Sequence, residues 1–137
     1  MRPIELKIKG INSYREEQVI NFSQLTSQGF FGIFGPTGSG KSTILDAITL
    51  ALYAKLPRGS KNFININESS ASVSFRFSIT TTETKEYLVE RSFRYPGKDR
   101  SSTARNTTAR LSLLSDVDTE VLADKPTDVT RSCTDLL

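Results

Sequence analysis

Apolar and polar residues alternate along several stretches of the chain, and each stretch has the period of a half-buried β-strand. In "IELKI", Ile4, Leu6 and Ile8 share one face while Glu5 and Lys7 take the other. Gly10 breaks that strand, "INSYREEQ" turns the chain, and "QVINF" resumes with Ile20 and Phe22 on one face, so the two strands form an antiparallel pair. Farther on, "ASVSFRFSIT" places Val73, Phe75, Phe77 and Ile79 inward, and "KEYLVERSFRY" does the same with Tyr87, Val89, Phe93 and Tyr95. Arg91 falls on that apolar face and is the misfit; it is read as an arginine at the strand's exposed margin. "ARLSLLSD" supplies a third strand and "EVLA" a fourth, which makes an antiparallel meander over residues 70–123.

Two segments depart from this period. "GFFGIFG" is apolar almost throughout, the pattern of a strand buried on both faces. From Lys41 onward Ile44, Leu45, Ile48, Leu50, Ala51 and Leu52 cover more than one helical stripe, which predicts a mostly buried helix ended by Pro57 and Gly59. The tail "KPTDVTRSCTDLL" reads as a helix with Thr127 or a neighbour as its cap and with Val129, Cys133, Leu136 and Leu137 on one face. The expected organisation is a core over residues 1–57, the meander over 70–123 and the start of a helical segment at 126–137.

Between the buried strand and the first helix lies "GPTGSGKS", which fits G-x-x-x-x-G-K-[ST] from Gly35 to Ser42. Gly35, Gly38 and Gly40 let the backbone bend and approach phosphates without a Cβ in the way. The loop residues Pro36, Thr37 and Ser39 lie between them, and the backbone N–H groups converge on the anion at a helix N-terminus. Lys41 reaches the β- and γ-phosphates, the Ser42 hydroxyl is placed to ligate Mg²⁺, and Thr43 continues the first turn toward the α-phosphate. The strand before and the helix after are the setting this motif requires. ATP with Mg²⁺ is the expected cofactor.

An ATPase also needs an apolar strand ending in an acid for Mg²⁺ and a residue that positions water. The one candidate strand ends at Asp116, but its serines and the following "SDVDTE" mark it as a hairpin turn. No glutamine follows Gln28 and the chain contains no histidine, so histidine catalysis and histidine metal ligation are excluded within it. The chain reads as part of an enzyme. A stand-alone nucleotide-binding regulatory module and a small P-loop kinase or transferase are the alternatives; a kinase should show arginine-rich lid and substrate sites near the helix, and the only arginine soon after it is Arg58.

The net charge of +3 permits an anionic partner without demanding one. The charge is concentrated in "RSFRYPGKDRSSTARNTTAR", which carries Arg91, Arg94, Lys98, Arg100, Arg105 and Arg110 against a single acid, Asp99. Its middle has no apolar period, so it is a long hairpin loop, and Lys98, Arg100 and Arg105 are the candidate contacts to a nucleic-acid backbone. The lone Cys133 rules out an internal disulfide and suits a reducing compartment. No apolar run is long enough to span a bilayer, and the N-terminus lacks a signal-peptide core, so a cytoplasmic location without membrane attachment is expected.

"IKGINSYREEQVINF" followed by "GIFGPTGSGKSTILDAITLALY" resembles the N-terminal lobe of the SbcC family, the SMC-like ATPase subunits of bacterial SbcCD nucleases; "VLADKPTDV" also matches that family. The resemblance covers nearly the whole chain and is weakest over residues 60–118. It implies a P-loop NTPase of α/β class, the N-terminal lobe of a split ABC-type ATPase head, with a mixed sheet around the P-loop helix and an antiparallel β-subdomain. In that family a long coiled coil and a C-terminal lobe follow, the latter bringing the Walker B acids and the signature motif. Gly35, Gly40, Lys41, Ser42 and Thr43 match the family's phosphate loop. Asn12 and Ser13 match a short N-terminal motif that contacts the nucleotide, and the loop at Lys61 and Asn62 approaches it in relatives. The implied partners are the chain's own C-terminal lobe, a second copy in an ATP-joined head dimer, an SbcD-like nuclease subunit and double-stranded DNA.

Overall fold

In the computed structural model, residues 1–22, 39–56, 63–96 and 103–137 are described, with the side chains of the first helix described from Thr43 onward. The elements are β1 (Arg2–Lys9), β2 (Gln18–Asn21), α1 (Ser39–Tyr53), β3 (Ser70–Thr80), β4 (Thr84–Arg94), β5 (Arg105–Leu114), β6 (Thr119–Ala123) and α2 (Pro126–Leu136).

The six strands form one sheet in the order β2-β1-β3-β4-β5-β6, with every adjacent pair antiparallel. The expected meander is present, but β1 and β2 are continuous with it: Leu6 of β1 faces Phe75 of β3, and Ile8 faces Val73. The reason is that β1 and β3 present the same apolar face, so pairing them lets one surface of the sheet bury both rows. The strand expected at "GFFGIFG", on which a mixed sheet depends, lies outside the described residues.

The inward alternation holds for most positions, but Ile4, Ile20 and Ile79 are only half-buried and Ser78, expected to face outward, is buried. Leu6, Ile8, Phe75, Phe77, Val89, Phe93 and Leu111 are all buried. Phe75 stacks on Phe77 at 5.3 Å and Phe77 on Tyr87 at 5.7 Å, while Phe63 meets Phe93 edge-on at 5.1 Å. Such geometries add about 0.5–1.5 kcal/mol per pair beyond area burial. Helix α1 packs on β3 and β4, and α2 packs on β5, β6 and α1, so both helices cover this apolar face. No helix among the described residues is long and apolar enough to cross a membrane.

Helix boundaries differ from the sequence expectation. Helix α1 begins at Ser39 and stops at Tyr53, before Pro57. Its stop is Ala54, in the left-handed region at φ 63°, whose N–H closes on the Leu50 carbonyl at 2.9 Å. The helix is less enclosed than its composition suggested, since Leu45 is exposed and Ile44 and Ile48 are half-buried. At α2 the N-cap is Lys125 with no side-chain cap bond, and Pro126 follows it in the first turn; Thr127 is not the cap. Val129 and Cys133 are buried as expected, but Leu137 at the end of that face is exposed.

Burial pushes the Cys133 thiol up to about 11, against the opposing pull of the nearby Arg91 charge. Cys133 should therefore resist alkylation at pH 8 until the chain is unfolded, as mass spectrometry of labelled protein would show. Because the folded-state value lies above the ordinary 9.0, the associated stability is complete below about pH 9 and is lost as pH rises toward 11. Cys133→Ala should show a smaller loss of denaturation midpoint across that interval than the parent chain.

Candidate nucleotide site

The N-terminus of α1 is built by the motif itself. Ser39, Gly40, Lys41, Ser42 and Thr43 occupy its first turns, and no acid stands in the first turn to oppose an anion. Gly35, Pro36, Thr37 and Gly38 lie outside the described residues, as do Lys61 and Asn62. The helical backbone at 39–43 fits a phosphate group: the N–H groups of a helix's first turn have no intrahelical acceptor and point out along the axis. Lys41 and Ser42 are the residues that would hold the terminal phosphates and Mg²⁺.

The turn after β1 lies beside this helix, although Asn12 and Thr43 are far apart in sequence. Asn12 Nδ2 donates to Thr43 Oγ1 at 3.4 Å, while Thr43 is buried. Asn12 and Ser13 are both exposed. Asn12 has φ 50°, a left-handed value that asparagine tolerates better than most residues. The same residue thus shapes the turn and sets it against α1.

Asn65, which periodicity did not single out, holds the Asn12 turn beside the candidate site. It is buried, its Nδ2 donates to the Asn12 carbonyl at 2.7 Å, and its backbone N–H donates to the Gly10 carbonyl at 2.8 Å. Its Oδ1 accepts from the Asn67 N–H at 2.9 Å, and the Asn12 N–H donates to the Phe63 carbonyl at 2.7 Å. Residues 63–65 therefore clamp the Asn12 turn against α1. The available signal was an asparagine set between apolar residues in "NFININ", too common a pattern to single out.

Arg91 corrects the sequence reading. It is 2% exposed, not at an exposed margin, and all five of its N–H groups meet acceptors. Nε donates to the Ala51 carbonyl at 2.6 Å and Nη2 to the Leu52 carbonyl at 3.0 Å, both at the C-terminal end of α1. Nη1 donates to Asn106 Oδ1 at 2.8 Å and the Pro126 carbonyl at 3.3 Å, and Nη2 to Thr130 Oγ1 at 3.0 Å. Burial lowers its pKa from the ordinary value, with Cys133 opposing the shift. The carbonyl end of a helix is a favourable place for a buried cation, which explains why the sheet's apolar face admits one.

Asp116 lies in the exposed turn between β5 and β6, which is closed by Ser115 N–H to the Asp118 carbonyl at 3.0 Å. The hairpin reading holds there. Of the basic-loop candidates, Lys98 and Arg100 fall outside the described residues. Arg105 opens β5, exposed and directly opposite exposed Arg94 of β4.

A family model described as an AAA domain matches residues 5–133. The chain is 47% identical over 137 residues to the SbcC component of the SbcCD nuclease of Clostridium acetobutylicum, covering 100% of this chain and 12% of that protein. It is 47% identical over 140 residues to the SbcC protein of Bacillus subtilis, again 100% and 12%. Over 99 residues it is 41% identical to a probable DNA double-strand break repair Rad50 ATPase of Aquifex aeolicus, covering 69% of this chain and 10% of that protein. The chain thus spans about an eighth of the length of these SbcC relatives. With the phosphate-loop motif opening α1 and the Asn12 turn set against it, the chain belongs to the AAA-domain family of P-loop ATPases and matches SbcC, a component of SbcCD nucleases, along its whole length.

Proposed function

We propose that this chain is the phosphate-binding lobe of a split, ABC-type ATPase head that acts in DNA repair. The observation that carries the reading is that the last motif residues, from Ser39, open α1, with the Asn12 turn hydrogen-bonded to Thr43 in the same helix. Gly35 to Thr43 would hold the phosphates of ATP, and Asn12 and Ser13 would contact the nucleotide from the turn after β1. Mg²⁺ would offset the charge of the β- and γ-phosphates; Ser42 would ligate it and Lys41 would add a fixed cation on the phosphates.

Among the described residues no group of histidine, cysteine, aspartate and glutamate side chains could hold a metal ion. The acids that complete the reaction come from a C-terminal lobe in this reading. Two heads close on ATP, and their closure governs an SbcD-like nuclease subunit working on double-stranded DNA in the cytoplasm. The names of the relatives support this assignment.

The DNA contact is assigned to the β4–β5 hairpin. Arg94 and Arg105 stand directly opposite each other, a like-charged cross-strand pair that costs stability unless an anion lies nearby. Lys98 and Arg100 add to the same hairpin in sequence. The test is to reverse Lys98, Arg100 and Arg105 to glutamate in the full-length protein and measure duplex binding across salt concentrations. Affinity should fall alike for all sequences, and the slope of log affinity against log salt should become shallower by about 0.9 for each lost phosphate contact. Nucleotide affinity should stay the same. Wild-type affinity and slope in the triple variant would reduce the hairpin to a solvated surface.

A further inference from the structure

The geometry points to Arg91 as a positioning residue that couples the phosphate-binding helix α1 to the first turn of α2, so that nucleotide occupancy is felt at α2. This rests on the reading of α1 as the nucleotide helix.

A buried guanidinium is costly to place unless every donor is matched, and here every donor is. Among the described residues no carboxylate pairs with it. Its charge is balanced instead by carbonyl dipoles, two of them at the C-terminal end of α1. An apolar side chain would have filled the same place on β4, as Val89 and Phe93 do on either side. What an apolar side chain cannot do is join elements. The planar fork reaches Ala51 and Leu52 on one side and Pro126, Thr130 and Asn106 on the other.

Helix α1 is a rod of 15 residues with the phosphate motif at one end and Arg91 at the other. At about 1.5 Å per residue it spans roughly 22 Å. A rigid helix shifted or stiffened by phosphate at its N-terminus carries that change to the carbonyls that Arg91 holds. The same guanidinium holds Thr130, which itself donates to the Pro126 carbonyl at 3.0 Å and so locks the first turn of α2. The link is short, polar and specific in direction, unlike the general packing of Val129 and Cys133.

The test is amide hydrogen exchange on the full-length protein with and without Mg-ATP, read separately over residues 39–53 and 126–136. In the parent protein nucleotide should slow exchange in both segments. Arg91→Lys keeps the charge but cannot span both sides; nucleotide should still protect α1, protection of α2 should vanish, and affinity should fall about fivefold. Thr130→Val, which leaves Arg91 and the α1 carbonyls in place, should cut the α2 response while the α1 response persists; it carries the test if Arg91→Lys fails to fold. Full α2 protection in either folded variant overturns the coupling, as does a parent protein in which nucleotide protects α1 alone. Absence of any α1 response, with no bound nucleotide by calorimetry, removes the nucleotide reading itself and the coupling with it.

Discussion

Lys41→Ala should lower nucleotide affinity by a factor of about 100 to 1,000, taking the already weak binding expected of an isolated lobe below detection. The size of the effect follows from chemistry. A lysine ammonium on two phosphate oxygens makes charge-assisted hydrogen bonds, each of about 1.5–3 kcal/mol, and a combined loss of about 3–4 kcal/mol is two to three powers of ten. No acid in the first turn of α1 complicates the change by leaving a competing charge behind. The isolated lobe should not turn over ATP, because in the proposed reading the acid that holds Mg²⁺ and the residue that positions water come from the C-terminal lobe. Isothermal calorimetry on both proteins, with melting curves to confirm equal folding, provides the check. Equal affinity would place the nucleotide elsewhere, and steady hydrolysis by the isolated lobe would mean that an acid within it does the missing work.

The second large effect concerns Gly10. Its φ is +71°, where an L-residue pays roughly 1–2 kcal/mol. A Cβ built there would lie 2.5 Å from the Ser70 carbonyl oxygen, a backbone atom at the start of β3 that cannot rotate away. Gly10→Ala should therefore cost about 3 kcal/mol, within the upper range of single substitutions, by forcing β1 and β3 apart near Lys9 and Ser72. The damage should not stop at stability, because the Gly10 carbonyl accepts from Asn65, and Asn65 holds the Asn12 turn. Nucleotide affinity should drop with it. Asn12→Gly is the comparison: glycine suits φ 50°, so stability should change by less than about 1 kcal/mol while the contact to Thr43 is lost. Denaturant titration of the two variants separates these expectations, and an unchanged midpoint in Gly10→Ala would show that the strands yield without cost.

Much of this fold was legible because a strand of the sheet buries only one face. Val73, Phe75 and Phe77 on β3, and Tyr87, Val89 and Phe93 on β4, announce themselves by a period of two and are buried. The phosphate-loop motif stood out by its residue types, and the helix expected after it is present, opening at Ser39. What escaped was set by partners distant in sequence. The period put Arg91 on the apolar face, but its charge made it look like a residue of the margin; its acceptors at Ala51, Leu52, Asn106, Pro126 and Thr130 belong to other elements. The end of α1 at Ala54 was hidden for a related reason, because alanine is a strong helix former and only its φ reveals the stop. Asn65 matters through backbone groups of Gly10 and Asn12, which no side-chain pattern records. The union of β1 with the meander depended on a long-range strand pairing that alternation alone does not rank against other partners.

That same pairing dictates an order of assembly. Hairpins β3–β4, β4–β5 and β5–β6 join neighbours in sequence, and β1–β2 is a hairpin as well, so each can begin to form from local contacts. The β1–β3 seam closes a loop of roughly 60 residues that contains the whole phosphate helix, and the entropy of closing it must be met before its contacts contribute. During synthesis the N-terminal hairpin and α1 emerge first and wait, their apolar faces uncovered, until β3 is available. By this entropy the seam should be the slowest of the pairings to form, and the Asn12 turn, which hangs from β1, should settle beside α1 only as it closes.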